Sequence, residues 1–359
     1  MSSYSFYRLP YSDSFTAVVQ SSGVPERLNS YAELSGRTGF VVAPFAISPD
    51  APLLLMRPER VERFALDDVS GRELLREVTA GTTYGRIPVL YADDVSRAAY
   101  ASAFAACHDK LSSGEFDKVV LSRRSVVSTP DRAPLHELFL RACELYPRAF
   151  VTLFSSEACG TWLVASPEIL ISGDGNVWHT VALAGTMRYG NGPGGSEWSA
   201  KNKREQRCVA DYIGDNLRRL SCDVTENAPK TVRAGALVHL RSDFSFRLSG
   251  TAGVGDVIAA VHPTPAVCGL PKADTQRFIN TVESGSRGYY SGFMGPLAIN
   301  GETNLYVSLR CMRLADGFCV LYAGGGLLKD SVEEQEWDET EAKMETMMKV
   351  IETCQGKHK

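Results

Sequence analysis

The sequence predicts an α+β fold, antiparallel sheets layered with helices, on three observations. Apolar, β-branched stretches follow one another in runs (149–156 then 160–183; 289–299, 305–315 then 318–328) instead of alternating strictly with helices, which favours antiparallel over doubly wound sheets. Two long segments, 201–220 and 333–352, carry apolar residues at three- and four-residue spacing. No internal repeat, low-complexity tract or Pro/Ser linker divides the chain, so 1–359 reads as one large domain of two interleaved layers, with a variable N-terminal part over 1–95 and a core over 96–355.

The elements follow in order. "GFVVAPFAI" (39–47) and "PLLLM" (52–56) are short strand-like runs. Residues 94–114 read as an amphipathic helix ending near Gly114, and "FDKVVLSRRSVVS" (116–128) as a β-branched strand. Pro147 stops a helix that starts at 135. The glycine-rich 185–199 reads as a mobile surface loop, and 201–220 as a helix with Val209, Ile213 and Leu217 inward. Strands at "ALVHL" and "FSFRLSG", helices near 255–261 and 273–283, three further strands and a helix over 333–352 complete the chain.

Of the 359 residues, 44% are hydrophobic and 22% charged, enough apolar side chains for a sizeable core without staples. The net charge of −4 leaves no basic footprint, which argues against a nucleic-acid partner. The first residues lack a signal peptide's basic and apolar regions, and no apolar run is long enough for a bilayer. Nine scattered cysteines without C-x-x-C read as reduced thiols, so the expectation is a cytoplasmic protein with no membrane contact.

The acidic run "EEQEWDETEAKME" (333–345) opens the question of chemistry. At 100° per residue, Trp337, Thr340, Met344, Met347, Met348 and Ile351 form one stripe. Glu336, Glu339 and Lys343 lie along its edge, while Glu334, Asp338, Glu341 and Glu345 point away. Spacing alone favours a solvated Glu339–Lys343 pair; the alternative is a metal site. Glu205, facing inward beside Val209, either stabilises its helix N-terminus or joins Glu336 and Glu339 around Mg²⁺, an oxygen-seeking ion. Lys118 is either an edge-strand lysine or, on a buried face with Val120 and Ser122, a base with a depressed pKa. Glu168, after Ser-Pro, is either an exposed strand-end charge or a general acid with a raised pKa. Three glycines in "YAGGGLL" (322–328) read as a turn after a strand or as an anion-approaching backbone. His239 and His262 stand alone, which favours satisfied structural histidines.

Eight stretches, "FDKVVLSRR", "VASPEILI", "LAGTMR", "KNKREQRCV", "HPTPAVCG", "YVSLRCMRL", "YAGGGLL" and "EQEWDETEAK", occur in the order of the chorismate-utilising enzymes. The chain resembles that family, which is anthranilate synthase component I-like, over about 100–355. "HPTPAVCG" resembles the isochorismate synthases in particular. Ala184, in place of a nucleophilic lysine, departs from the aminodeoxychorismate synthases.

The resemblance implies a Mg²⁺-dependent isomerase that adds water at C2 of chorismate and expels the C4 hydroxyl. Lys118 would be the base and Glu168 the acid. Glu205, Glu339 and Glu336 would hold the metal. Arg310, with Gly324 and Gly325, would take the enolpyruvyl carboxylate. Gly185, Thr186, His239, Ala266 and Val267 would line the site, with Tyr290 and Lys343. The expected product fate is menaquinone, with a catechol siderophore or onward conversion to salicylate as alternatives, and anthranilate or aminodeoxychorismate synthesis or non-catalytic chorismate binding as more distant ones. A monomer without a glutamine amidotransferase subunit is expected. Arg207 and Cys268 depart from the family pattern, Arg207 as a candidate tuner of metal affinity.

Overall fold

The structure is a computed structural model that describes residues 3–82, 84, 94–129, 134–188, 198–234 and 237–355. The N-terminal part supplies β1 (Ser3–Arg8), β2 (Ser14–Gln20), β3 (Glu26–Leu28), β4 (Gly39–Ala43), β5 (Leu53–Met56), β6 (Arg60–Ala65) and α1 (Val69–Ala80). Then come α2 (Arg97–Ser112), β7 (Lys118–Ser128), α3 (Leu135–Leu145), β8 (Phe150–Ser156), β9 (Gly160–Ser166), β10 (Ile169–Gly173) and β11 (Trp178–Arg188). Helix α4 (Ala200–Leu220) leads to β12 (Ser221–Glu226), β13 (Lys230–Ala234), β14 (Leu237–Leu248) and α5 (Val254–Val261). The chain closes with β15 (Gly269–Leu270), α6 (Lys272–Val282), β16 (Phe293–Leu297), β17 (Thr303–Val307), β18 (Cys311–Ala315), β19 (Phe318–Leu327) and α7 (Glu333–Gln355).

Two antiparallel sheets result. The first has the order β15-β7-β19-β18-β9-β8-β1-β2-β6, the second β12-β14-β11-β10-β17-β16-β4-β5-β3, with β13 also on β14. The expected α+β class with antiparallel sheets and helices is therefore observed. Residues 1–95 contribute strands to both sheets: β1 pairs with β8, and β4 with β16.

Strand alternation builds the layers. Along β19, Val320 and Tyr322 join an inter-sheet core with Phe40, Phe154 and Tyr306, whereas Cys319, Leu321 and Ala323 face the α3 and α7 side. Along β4, Phe40 and Val42 face that inter-sheet core, and Val41 and Ala43 pack toward α4 and α5. Phe150 stacks on Tyr306 across the sheets at 4.4 Å between centroids. Helices thus cover the outer faces and leave the gap between sheets for a dense core and one polar site.

Several expectations need correction. The glycines of 324–326 lie inside β19, where the ladder pairs them with Ser122, Leu121 and Val120, so they are no turn. The stretch 305–315 is broken at Ser308–Arg310, and Arg310 has φ 47°. Residues 289–292 precede their strand, and residues 237–240 and 244–248 of two expected strands belong to one, β14. Residues 185–188 of the expected loop are the end of β11, and 189–197 lie outside the described residues. All nine cysteines are free thiols, and no described helix is long and apolar enough to cross a membrane.

Candidate active site

The chain steps from the first sheet to the second between β9 and β10, and back between β17 and β18. Glu168 sits in the first step and Arg310 in the second. The steps are tied together: Val307 N donates to Glu168 O at 3.0 Å, and Ala165 N to Arg310 O at 3.0 Å. Pro167 keeps the first step extended, and the left-handed φ of Arg310 bends the second. Glu168 is only 4% exposed. Burial lifts its carboxyl to about 7, against the lowering pull of Lys118, Arg310, Lys343 and Arg241. Burial likewise lowers the Arg310 pKa, partly offset by Tyr290, Glu339 and Glu168. Its guanidinium makes no hydrogen bond among the described residues, which leaves it for a ligand.

Opposite stands the β7–β19 ladder. Lys118, at the start of β7, is fully buried, and its Nζ lies 2.8 Å from Glu205 Oε1. That Nζ makes no hydrogen bond of regular geometry. The three glycines create the room. A Cβ at Gly326 would collide with the Glu205 carboxylate and the Lys118 side chain, and one at Gly325 would come within 2.9 Å of Glu336 Oε2. At Gly324 it would meet Tyr290 Oη at 2.9 Å. The turn reading of this run is therefore revised: the glycines lie within a strand, and their missing side chains make room for the site.

Three carboxylates and three lysines meet behind the glycines. Glu205 pairs with Lys118, Glu336 with Lys201 at 2.7 Å, and Glu339 with Lys343 at 2.6 Å. The expected Glu339–Lys343 pair is real, but it lines the cavity: Lys343 Nζ also donates to Gly324 O at 2.7 Å. Burial and the neighbouring Glu339 charge raise the Glu336 pKa, with Lys201 opposing them. For Glu339, burial raises the pKa but Lys343, Lys201 and Arg310 outweigh it, for a net lowering. An all-oxygen donor set with one carboxylate held up by its neighbour suits a hard divalent cation. As they stand, no three His, Cys, Asp or Glu side chains among the described residues are gathered into a metal shell; each carboxylate is drawn to a lysine instead.

The remaining wall comes from the second sheet. A bulge in β11 at Gly185 interrupts its pairing with β14 and sets Thr186 opposite His239. Gly185 has φ 73°, and a Cβ there would crowd Asn202. His239 Nδ1 donates to Gly185 O at 3.2 Å, which fixes the Nδ1–H tautomer and leaves Nε2 as a buried acceptor without a partner. Burial, then Arg310 and Lys343, push the ring down to about 3, so it is neutral. His262 likewise meets Pro44 O through Nε2 and leaves Nδ1 buried without a partner, but of the two only His239 lines the site cavity.

These groups surround a cavity of about 70 Å³. Glu168, Glu205, Glu339, Lys343, Arg310 and His239 line it, as do Gly185, Thr186, Ala266, Val267, Tyr290 and Gly324. Lys118, Glu336 and Gly325 stand one contact behind. A wider cleft of about 300 Å³, with Tyr146, Arg148 and Arg233 in its wall, shares Arg310 and Pro167 with it.

Arg207 does not reach this cluster: it is bound to Glu226 at 2.7 Å and Asp211 at 2.7 Å on the outer side of α4. Cys268 packs in the apolar cluster of α2 and α6. Sequence reasoning missed Lys201, Glu283 and Arg287. Arg287 bonds Val267 O at 2.6 Å, Val120 O at 2.7 Å and Glu283, which in turn accepts from Ser122 N at 2.7 Å. This buried pair holds the Lys118 strand against the 262–268 loop. The four-residue spacing of Glu283 and Arg287 was the available signal.

The family described as chorismate binding enzyme matches residues 60–352. Isochorismate synthase DhbC of Bacillus subtilis (strain 168) is 30% identical over 292 residues, 77% of this chain and 72% of that protein. A Mycobacterium tuberculosis relative that carries the name MenF is 34% identical over 257 residues, 66% of this chain and 68% of that one. Among solved structures, MenF, the menaquinone-specific isochorismate synthase from Escherichia coli, superposes with a TM-score of 0.75 at 21% identity, covering 97% of this chain and 88% of that chain. This last likeness concerns the fold.

Proposed function

The chain belongs to the chorismate binding enzyme family, on its isochorismate synthase branch, and we propose that this site interconverts chorismate and isochorismate. The observation that carries the mechanism is a buried carboxyl, Glu168, held near neutrality within the field of a buried lysine, Lys118. A carboxyl with a pKa of about 7 keeps a proton to give at neutral pH.

Lys118, as the amine, takes a proton from water as its oxygen bonds to C2 of the ring. The ring double bonds shift, the C4–oxygen bond breaks, and Glu168 gives its proton to the departing hydroxyl, which leaves as water. One water enters and one leaves, with no change of oxidation state. Proton transfer from Lys118 back toward Glu168 through solvent restores the starting state, and the reverse reaction uses the same groups in exchanged roles.

Arg310 pairs with the enolpyruvyl carboxylate through its free fork. His239 Nε2 accepts a hydrogen bond from a substrate hydroxyl, and Lys343 supports the carboxylate end. Glu205, Glu336 and Glu339 are the residues that would hold Mg²⁺. When bound, that ion would neutralise and anchor the ring carboxylate. Ala184, in β11 beside Gly185, offers no nucleophile, which supports water rather than an enzyme lysine as the attacking group.

The product fate we assign is menaquinone, supported by the relative named MenF at 34% identity. Disruption of the gene should lower menaquinone; loss of a catechol siderophore instead would overturn that assignment. The activity is tested by incubating the protein with chorismate and Mg²⁺ and separating the products. Isochorismate is expected. Salicylate with pyruvate would reassign the product, and no turnover by folded protein would remove the reading altogether. Full activity of Lys118→Ala would refute the mechanism.

A further inference from the structure

Of the three lysines in the carboxylate cluster, two have other work. Lys118 is buried beside the acid, and Lys343 is anchored to Gly324 O. Lys201 differs. Its ammonium bonds Glu336 Oε1 at 2.7 Å and has no other hydrogen-bond partner among the described residues. It is placed by the first turn of α4, one turn before Glu205 and on the same helix face, with Ser199 capping the helix through Asn202 N. Its side chain keeps 25% exposure, against 4% for Glu336, so it has a way out to solvent that its partner lacks. Besides Glu336, the charges of Glu205 and Glu339 act on it. Lys201 therefore sits where the field of all three carboxylates converges.

We infer that Lys201 is a tethered counter-ion of this cluster, competing with the divalent cation for Glu336 and setting how tightly that cation binds. This rests on the reading of Glu205, Glu336 and Glu339 as the Mg²⁺ site. Two consequences follow from Coulomb's law. In the absence of metal, the ammonium offsets the repulsion between Glu336 and Glu339, so the cluster holds its shape. When Mg²⁺ arrives, it must either displace the ammonium into solvent or bind against it; both lower its affinity. A neutral side chain of similar length removes that opposition and loosens the metal-free cluster. Arginine keeps the charge and so keeps the competition.

Lys201 is partly exposed on the first turn of a long helix, so substitution there leaves the core untouched. The experiment is calorimetric titration of Mg²⁺ into wild type, Lys201→Met and Lys201→Arg without substrate, with thermal unfolding recorded at each metal concentration. Lys201→Met should bind Mg²⁺ about tenfold more tightly, a conservative figure for removal of one nearby charge at a part-exposed site. It should also show a lower melting temperature without metal and a larger rise with it, while Lys201→Arg stays near wild type. Equal or weaker Mg²⁺ binding by Lys201→Met, with wild type converting chorismate in a Mg²⁺-dependent way, would overturn the role of Lys201 and leave the active-site reading standing. Wild type that turns over with no saturable Mg²⁺ binding would overturn the metal site itself, and the inference with it.

Discussion

Glu168 and Arg310 occupy the two adjacent steps by which the chain passes between its sheets, and the steps are hydrogen-bonded to each other through Val307 N and Ala165 N. The proposed acid and the proposed carboxylate-binding fork are thus positioned by two mutually hydrogen-bonded steps of backbone. Neither depends on a long loop, and neither can shift along its strand without breaking pairing in both sheets.

The Glu168 carboxyl gives a pH signature. In its proposed role as acid it works only when protonated, so the forward rate should fall as pH rises through about 7. Its folded pKa lies above the ordinary 4.5. Stability from this group is therefore complete below about 4.5 and is lost as pH rises through about 7. Glu168→Gln should lower kcat by roughly 10²–10⁴-fold, abolish the basic limb near 7, and flatten the dependence of melting temperature on pH. A rate profile in Glu168→Gln with the limb intact would show that another group owns it.

His239 should remain neutral across the working range. Its ring sits at about 3 with Nδ1–H donated to Gly185 O. Nitrogen-detected magnetic resonance should find one tautomer, protonated at Nδ1, unchanged from pH 8 to pH 5. A titration near the ordinary histidine value would contradict the burial and the hydrogen bond together.

Gly326→Ala tests the glycine strand. The added methyl would collide with the Glu205–Lys118 pair. The expected result is a folded protein, destabilised by about 1–3 kcal/mol, with kcat reduced at least tenfold. A methyl at Gly325 instead meets Glu336, so Gly325→Ala should weaken Mg²⁺ binding more than it slows saturated turnover. Steady-state kinetics against Mg²⁺ concentration separate the two.

Glu283→Ala should be the most damaging change to stability among these. It strands the buried Arg287 guanidinium and leaves Ser122 N without its acceptor. The cost is about 3–5 kcal/mol by urea unfolding, typical of breaking one partner out of a buried pair. Glu283→Gln, which keeps an acceptor for Ser122 N, should recover part of the loss.

The sequence made one half of this site readable. Helical phasing alone placed both Glu336 and Glu339 along the edge of the buried stripe, and the structure finds Glu336 only 3% exposed. The β-branched run around Lys118 marked a strand but left an edge-strand lysine open, and the structure buries Lys118 fully. Other features left no local trace. Ser308–Leu309–Arg310 contains no glycine or proline, so the step between β17 and β18 reads as unbroken strand; the backbone bends because the partner strands lie in different sheets. Lys201 looks like any lysine in a polar first turn, because the carboxylate that captures it lies 135 residues away. Arg123 tells the same story: its buried guanidinium stacks over Trp337 at 3.7 Å and pairs with Glu341, which is exposed as phasing assigned it but lies 218 residues away in sequence. Periodicity reports which face is buried, whereas charge pairing across the fold is set by topology.

The glycine strand has an evolutionary corollary. Three consecutive positions of β19 form a wall with no side chains to vary, because any substituent would displace the groups that share it. Variation in what the pocket accepts or releases is therefore expected on the facing wall, where Ala266, Val267, Leu183 and Thr186 carry side chains that line the cavity. One side of the cavity is a fixed template and the other is where new specificities can be written.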